Sequence, residues 1–328
     1  MKIKPHRLTL AQAIEGYLLD ATARRLSPHT LSDYTNSFGK LQAWLDPADP
    51  PLVSITADQL REFFNSLAAP VRPAGIARRP LRAIGKKQLS NIHVGLSALW
   101  TWAVANQVTD RHILREITRP KPEQPAIVPY SHDDARLFLA ACERTSAYTR
   151  RGRISDNHRP SGPRDRAIVL LLLDTGVRAS ELCGLRLCDV DLRNRQVTVW
   201  GKGSKQRMLP ISAATGKALW RYITAERGAA LANEAVFINS HAGRPLSRNA
   251  LLQLLHRLGE RAGVADVHPH RFRHTFAINY LRNGGNALAL QTSLGHTTLE
   301  MVRTYLTIAE ADLVVAHRTA SPVENWRL

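Results

Sequence analysis

Thr175-Gly176-Val177-Arg178-Ala179-Ser180-Glu181-Leu182 is the stretch on which the reading of this chain turns. Before it, Arg164 to Leu173 is apolar enough for a buried helix that stops at Asp174-Thr175-Gly176, and after it Ser180 to Leu187 predicts a second, short helix. Arg178 therefore stands at a helix entrance. There the helix dipole favours an anion, and a planar guanidinium matches two oxygens of a phosphate. An arginine at this place can equally be a surface residue paired with Glu181. What decides between the two lies further along the chain.

Gln196 to Trp200 alternates, and Met208 to Ile211 resumes the pattern after Gly201-Lys202-Gly203-Ser204-Lys205, which predicts a hairpin with a glycine-bearing turn. Lys202 or Lys205 in that turn has the reach of a flexible amine into a bound duplex; the spacing of a nucleotide-binding P-loop is absent. In Pro269-His270-Arg271-Phe272-Arg273-His274-Thr275, helical spacing pairs His270 with Arg273 and Arg271 with His274, and spacing alone leaves the choice open. Phe272 and Phe276 form the buried face. In Leu294-Gly295-His296, the glycine is suited to end a helix, and Thr297 with Glu300 reads as a capping box for the next one. Tyr305 then falls on a helix that starts just after His296, with Leu299, Val302 and Leu306 on its face. Alone, it reads as a half-buried tyrosine.

The rest of the chain sets the frame. At 328 residues and 44% hydrophobic content the chain is long enough for two domains with a sizeable core. The excess of 45 Lys and Arg over 27 Asp and Glu, a net charge of +18, suits a polyanionic partner. Basic residues cluster from Arg72 to Lys87 and from Arg144 to Arg166; both stretches read as loops, the second a mobile one. Arg78, Arg79, Lys86, Lys87, Arg150, Arg151 and Arg153 are the candidate DNA contacts within them. Cys142, Cys183 and Cys188 have no zinc or redox spacing and read as small apolar core residues. The longest central apolar run, Ala167 to Leu173, is too short for a bilayer, and Met1 to Leu10 lacks a signal-peptide pattern, so a soluble cytoplasmic protein is expected. Four helices are predicted in the first third: one around Leu10 to Leu18, one carrying Leu31 to Leu45, one capped by Thr56, and one from Ser90 to Val104. The proline-spaced stretch Arg119-Pro120-Lys121-Pro122-Glu123-Gln124-Pro125 disfavours helix and marks a connector. The boundaries expected are residues 1–118, a linker at 119–126, and 127–328.

Residues 175–182, the hairpin from Gly201 to Arg207, the box from His270 to Thr275, and Leu294-Gly295-His296 with Tyr305 together resemble the tyrosine recombinase (phage integrase) family, closest to its two-domain, Xer-like members. The resemblance implies a mainly α fold with a small antiparallel β-sheet, made of an N-terminal helical core-binding domain and a mixed α/β catalytic domain. It implies Arg178 and Arg273 as phosphate clamps, Lys202 as the hairpin lysine, His270 and His296 as active-site imidazoles, and Tyr305 as the nucleophile. The activity implied is site-specific cutting and rejoining of duplex DNA through a 3′-phosphotyrosyl link, with no cofactor and no metal. The partners implied are double-stranded DNA and further copies of the chain, as a tetramer on two DNA sites in which the segment after Tyr305, helical from Ala309 to Ala316, passes to a neighbour. A nucleoid-associated place in the cytoplasm follows, with no membrane. Two other readings stand beside it, a type IB topoisomerase and a non-catalytic DNA-binding protein of the same fold.

Overall fold

The computed structural model describes residues 8–45, 49–68, 83–122, 126–144, 148–150, 153–155, 157–201, 205–228, 231–239, 243–295 and 300–309, with His317, Ser321 and Val323. The chain divides into two compact units, Met1–Pro125 and Ala126–Leu328. No described helix is long and apolar enough to cross a membrane.

The first unit holds α1 (Leu10–Ala23), α2 (Pro28–Leu45), α3 (Ala57–Ala68) and α4 (Lys86–Ala105). Thr9 and Gln12 close a capping box on α1, and the Thr56 hydroxyl accepts from the Gln59 N–H at the start of α3. The apolar stripes meet in one core built on Tyr17, Phe38, Leu41, Phe63, Leu96, Leu99 and Trp100. α4 begins four residues before the expected Ser90. Lys86 and Lys87 therefore belong to its exposed first turn and not to a loop, because lysine is a good helix former and Gly85 serves as the N-cap.

The second unit contains α5 (His132–Glu143), α6 (Gly162–Thr175), α7 (Ala179–Cys183), α8 (Ala213–Tyr222), α9 (Arg248–Ala262), α10 (Pro269–Arg282), α11 (Ala287–Leu294) and α12 (Glu300–Ala309). Two short strands, β1 (Tyr148–Arg150) and β2 (Arg153–Ser155), pair antiparallel within the arginine-rich stretch, so this part of it is paired where a loop was expected. A three-stranded antiparallel sheet has the order β3 (Val190–Asp191), β4 (Gln196–Trp200), β5 (Gln206–Pro210). Val197 faces Leu209 across β4 and β5, and the alternation buries Val197, Val199 and Leu209 on one side. β3 is too short to leave a periodic signal in the sequence. α7 is shorter than expected: Gly184 bonds back to Ser180, and the N–H groups of Leu187 and Cys188 turn away to the carbonyls of Glu234 and Ala232.

α6 is the central helix, packed against α5, α8 and α10. Its end is fixed by Gly176 at φ 59°, where an added Cβ would lie 2.5 Å from Phe276 and 3.2 Å from Leu294. Both the left-handed backbone and the close approach of α10 and α11 require glycine there. A smaller core cluster of Ala277, Ile278, Leu290, Leu294, Val302 and Tyr305 joins α10, α11 and α12. Cys142 lies in the core, but Cys188 is exposed, because the turn at Leu187–Asp189 presents it to solvent.

Candidate active site

The start of α10 is set by His268, whose Nδ1 accepts from the Arg271 N–H at 3.2 Å, followed by Pro269 in the first turn. Helical geometry then sends the two arginines of the box in different directions. Arg271 donates to the carbonyls of Val128 (2.9 Å) and Ala265 (2.8 Å) and lies 4.2 Å over the Tyr130 ring, so it ties the helix start to the chain before α5. Arg273 is 3% exposed and reaches inward. Its two Nη groups donate to the carbonyls of Gly176 (2.8 Å) and Leu294 (2.7 Å), bridging the ends of α6 and α11. Burial first, then the nearby Arg178 charge, lowers its pKa to about 10. A cation held under that strain is stabilised by an arriving anion.

Arg178, the N-cap of α7, donates its backbone N–H to Glu181 Oε2 (2.9 Å), its Nη1 to Glu181 Oε1 (3.0 Å) and its Nη2 to the Gly295 carbonyl (3.3 Å). Pairing with Glu181 and facing the Arg273 cluster are thus compatible. Glu181 is buried and also receives a two-pronged contact from Arg207 on β5, both bonds at 2.8 Å. Burial opposes its ionisation, yet the hydrogen bonds from Arg207 and Arg178 outweigh it and hold the carboxyl below its usual range. Arg207 Nε donates to the Ser293 carbonyl at 2.7 Å. The carbonyls of Ser293, Leu294 and Gly295 at the end of α11 therefore each take one arginine, Arg207, Arg273 and Arg178. A helix end leaves its last carbonyls without partners, and here guanidinium groups supply them.

Tyr305 on α12 is 1% exposed, and its hydroxyl lies 2.9 Å from His274 Nδ1. Burial raises the phenol above its ordinary range, while Arg273 and Arg178 act in the opposite direction. His274 is lowered to about 4 by burial, with further contributions from His270, His268 and Arg273. At neutral pH it is an uncharged imidazole, and in the tautomer protonated on Nε2 its Nδ1 accepts from the phenol. His270 stacks on His274 at 6.0 Å between ring centroids and keeps contact with solvent; partial burial, then Arg273, His268 and Arg178, lower it.

Arg178, His270, Arg273 and Tyr305 thus share one neighbourhood. Lys202 and His296 lie outside the described residues, as do Arg78, Arg79 and Arg151. Arg150 and Arg153 are described only as backbone of β1 and β2, and Lys86 and Lys87 belong to the other unit. The stretch expected to form the tail helix, Ala309 to Ala316, lies outside the description after Ala309.

The sequence pattern of the phage integrase family matches residues 132–311, more than half of the chain. The chain belongs to that family, the tyrosine recombinases. Over nearly its full length the recombinase is similar to tyrosine recombinase XerC of Mycobacterium sp. (strain JLS), 30% identical across 96% of this chain and 99% of the relative. It is likewise similar to tyrosine recombinase XerD of Mycobacterium tuberculosis (strain ATCC 25618 / H37Rv), 30% identical across 90% and 93%. Among solved structures its fold is similar to the XerH site-specific recombinase bound to a palindromic difH substrate (TM-score 0.67, 19% identity, 96% of this chain and 85% of that one). It is also similar to the Tn1549 transposon integrase in complex with transposon right end DNA (TM-score 0.69, 19% identity, 94% and 99%). The expected fold, mainly helical with a small antiparallel sheet, is borne out.

Three residues of the recombinase's site were not singled out from the sequence. Glu181 and Arg207 are joined only by tertiary structure, although Glu181 sits three residues after an N-cap, where a carboxylate commonly returns to the backbone. His274 was legible as one member of a helical pair, but its partner is Tyr305, 31 residues away.

Proposed function

We infer that the recombinase cuts duplex DNA at specific sites and rejoins it, with Tyr305 as nucleophile. The observation that carries this reading is the 2.9 Å contact between the Tyr305 hydroxyl and a neutral His274, set beside Arg178 and Arg273. A phenol has an ordinary pKa of about 10, and burial raises Tyr305 above it, so the hydroxyl needs a proton acceptor and nearby positive charge to attack at neutral pH. His274 supplies the first and the two arginines the second. The Tyr305 oxygen bonds to the scissile phosphorus, the bond from phosphorus to the 5′ oxygen breaks, and the phenol proton passes to His274. Arg178 and Arg273 hold the non-bridging oxygens as charge builds on them, with solvent-facing His270 beside them. By resemblance Lys202 protonates the departing 5′ oxygen and His296 adds a further donor. The phosphotyrosyl link keeps the energy of the phosphodiester, so an incoming 5′ hydroxyl reverses the step without ATP.

The assembly on DNA is an oligomer in this reading. A lambda integrase of similar fold is known as a tetramer bound to a Holliday junction (TM-score 0.67, 16% identity, 92% of this chain and 78% of that one). A tetramer on two sites, linked by exchange of the segment after Tyr305, is the arrangement proposed here; truncation after Ile308 should abolish cooperative assembly, and unchanged cooperativity refutes exchange.

Tyr305→Phe tests the centre of the reading. It should bind its DNA site and form no covalent adduct on a denaturing gel; an adduct that persists moves the nucleophile elsewhere. With wild-type protein, strand exchange only between plasmids sharing a site is expected, whereas relaxation of any supercoiled plasmid favours the topoisomerase reading.

A further inference from the structure

At the amino-terminal end of α6, some 20 Å from Gly176 by the rise of the helix, lies a cavity of about 560 Å³. Four arginines line it, Arg159, Arg164, Arg257 and Arg261, against one carboxylate, Asp165. Asp165 is fully buried and saturated. Its Oδ1 accepts from Arg164 Nε (3.0 Å) and Nη2 (2.7 Å), and its Oδ2 from Arg159 Nη2 (2.8 Å) and the Ser161 hydroxyl (3.3 Å). Nothing of that carboxylate is left for Arg257 or Arg261. Arg261 is half-buried on α9, and its Nε is fully covered and without a hydrogen-bond partner. Burial first, then repulsion from Arg159, lowers its pKa below the usual guanidinium range, with Arg257 adding to the repulsion. Glu226, near Arg164, does not line the cavity, and burial holds its carboxyl above the ordinary range.

A covered guanidinium nitrogen with no acceptor is costly, and surplus positive charge in a concave site lowers in energy when an anion enters. The first turn of the 14-residue α6 adds its dipole at the same end. The construction parallels the catalytic clamp: one buried carboxylate holding two arginines, with a further arginine beside it, buried for Arg273 and half-buried for Arg261, whose charge is under strain. We propose that this cavity is a second phosphate-binding site, in which Arg257 and Arg261 take a phosphate group and Asp165 fixes the arginines behind them. The group can be a phosphate of the DNA backbone or one on a small molecule, since a guanidinium fork recognises the same oxygens in either. The proposal does not depend on the assignment of Tyr305.

The test uses the full chain carrying Arg178→Ala, which removes the catalytic clamp as a competing anion site, with and without Arg261→Leu. Melting temperature is measured in inorganic phosphate and in chloride at matched ionic strength. The Arg178→Ala protein should gain stability with phosphate, and adding Arg261→Leu should weaken apparent phosphate affinity about tenfold or more. In chloride, Arg261→Leu should leave the melting temperature unchanged or higher, because it removes a half-buried guanidinium whose covered Nε lacks an acceptor. A fall in chloride makes Arg261 a structural strut and overturns the proposal, as does phosphate stabilisation that is absent or insensitive to Arg261→Leu. Arg257→Gln, on the exposed side of the cavity, repeats the comparison should the leucine variant fold poorly. A second arm finds the source. If the phosphate belongs to DNA, Arg261→Leu in otherwise wild-type protein makes the salt dependence of duplex binding shallower by about 1 unit. An unchanged slope together with the phosphate effect assigns the site to a small phosphorylated ligand.

Discussion

At the carboxyl end of α6, Glu181 holds Arg178 and Arg207, and Arg273 spends two donors on the carbonyls of Gly176 and Leu294. At the amino end, Asp165 holds Arg159 and Arg164, and Arg261 leaves its Nε with no acceptor. Both ends use a buried carboxylate to anchor guanidinium groups where charge alone would drive them apart. They differ in what stands next to the cations. The carboxyl end has Tyr305 with a neutral imidazole 2.9 Å from its hydroxyl, whereas the cavity at the amino end is lined by no tyrosine and no histidine among the described residues. Positive charge positions a phosphate, and only a nucleophile with a proton acceptor converts the position into chemistry.

The largest effect should separate the two ends by rate. Arg273→Ala is expected to slow covalent adduct formation by roughly 100- to 1000-fold, the scale of losing a donor to developing charge, measured in single turnover with saturating DNA. Arg261→Leu should leave that chemical step unchanged; a comparable loss there would erase the distinction. Arg273→Lys should not rescue, since an ammonium cannot bridge Gly176 and Leu294 as the planar fork does.

Next comes stability. Glu181→Gln and Asp165→Asn each leave two buried or half-buried arginines without their counter-ion, and each should cost about 3–5 kcal/mol in denaturant unfolding. Only Glu181→Gln should also slow cleavage by the molecules that remain folded. If Asp165→Asn slows the chemical step equally, the two ends are coupled through α6.

The smallest effect is a pH dependence. The folded pKa of His274, about 4, lies below the ordinary imidazole value near 6.5. Between those values the unfolded chain binds a proton that the folded chain does not. Stability therefore rises with pH from about 4 to 6.5 and is level above it. Adduct formation should fall as pH drops toward 4, where His274 loses its capacity to accept. His274→Gln should make the thermal profile shallower between pH 4 and 6.5, with His270 and His93 keeping part of the slope, and slow adduct formation without changing DNA affinity. A profile identical to wild type removes His274 from the proton path, and His270, also lowered by burial, becomes the alternative.

Local sequence carried much of this. The helix that stops at Gly176, the strand Gln196 to Trp200 and the inward face of α4 follow from glycine chemistry and from periods of two and 3.6 residues, which need no distant partner. The order along the chain of the motifs that carry Arg178, Lys202, His270, Arg273, His296 and Tyr305 was enough to suggest the family. What the sequence left open was which arginine of the box turns inward, whether residues 148–155 pair, and which imidazole meets the phenol. Arg271 and Arg273 are separated by Tyr130, Val128 and Gly176; β1 and β2 by a pairing that basic composition conceals; His270 and His274 by the packing of α12 on α10.

Periodicity, caps and the order of motifs are written in neighbouring residues, so the chain by itself determined many of its helices, the pairing of β4 with β5 and its kinship. The placement of charge was decided only by tertiary structure. A guanidinium takes its meaning from the carbonyl or carboxylate it reaches, and for Arg178, Arg207, Arg273 and Arg159 those partners include groups brought from elsewhere in the chain by burial of the cores.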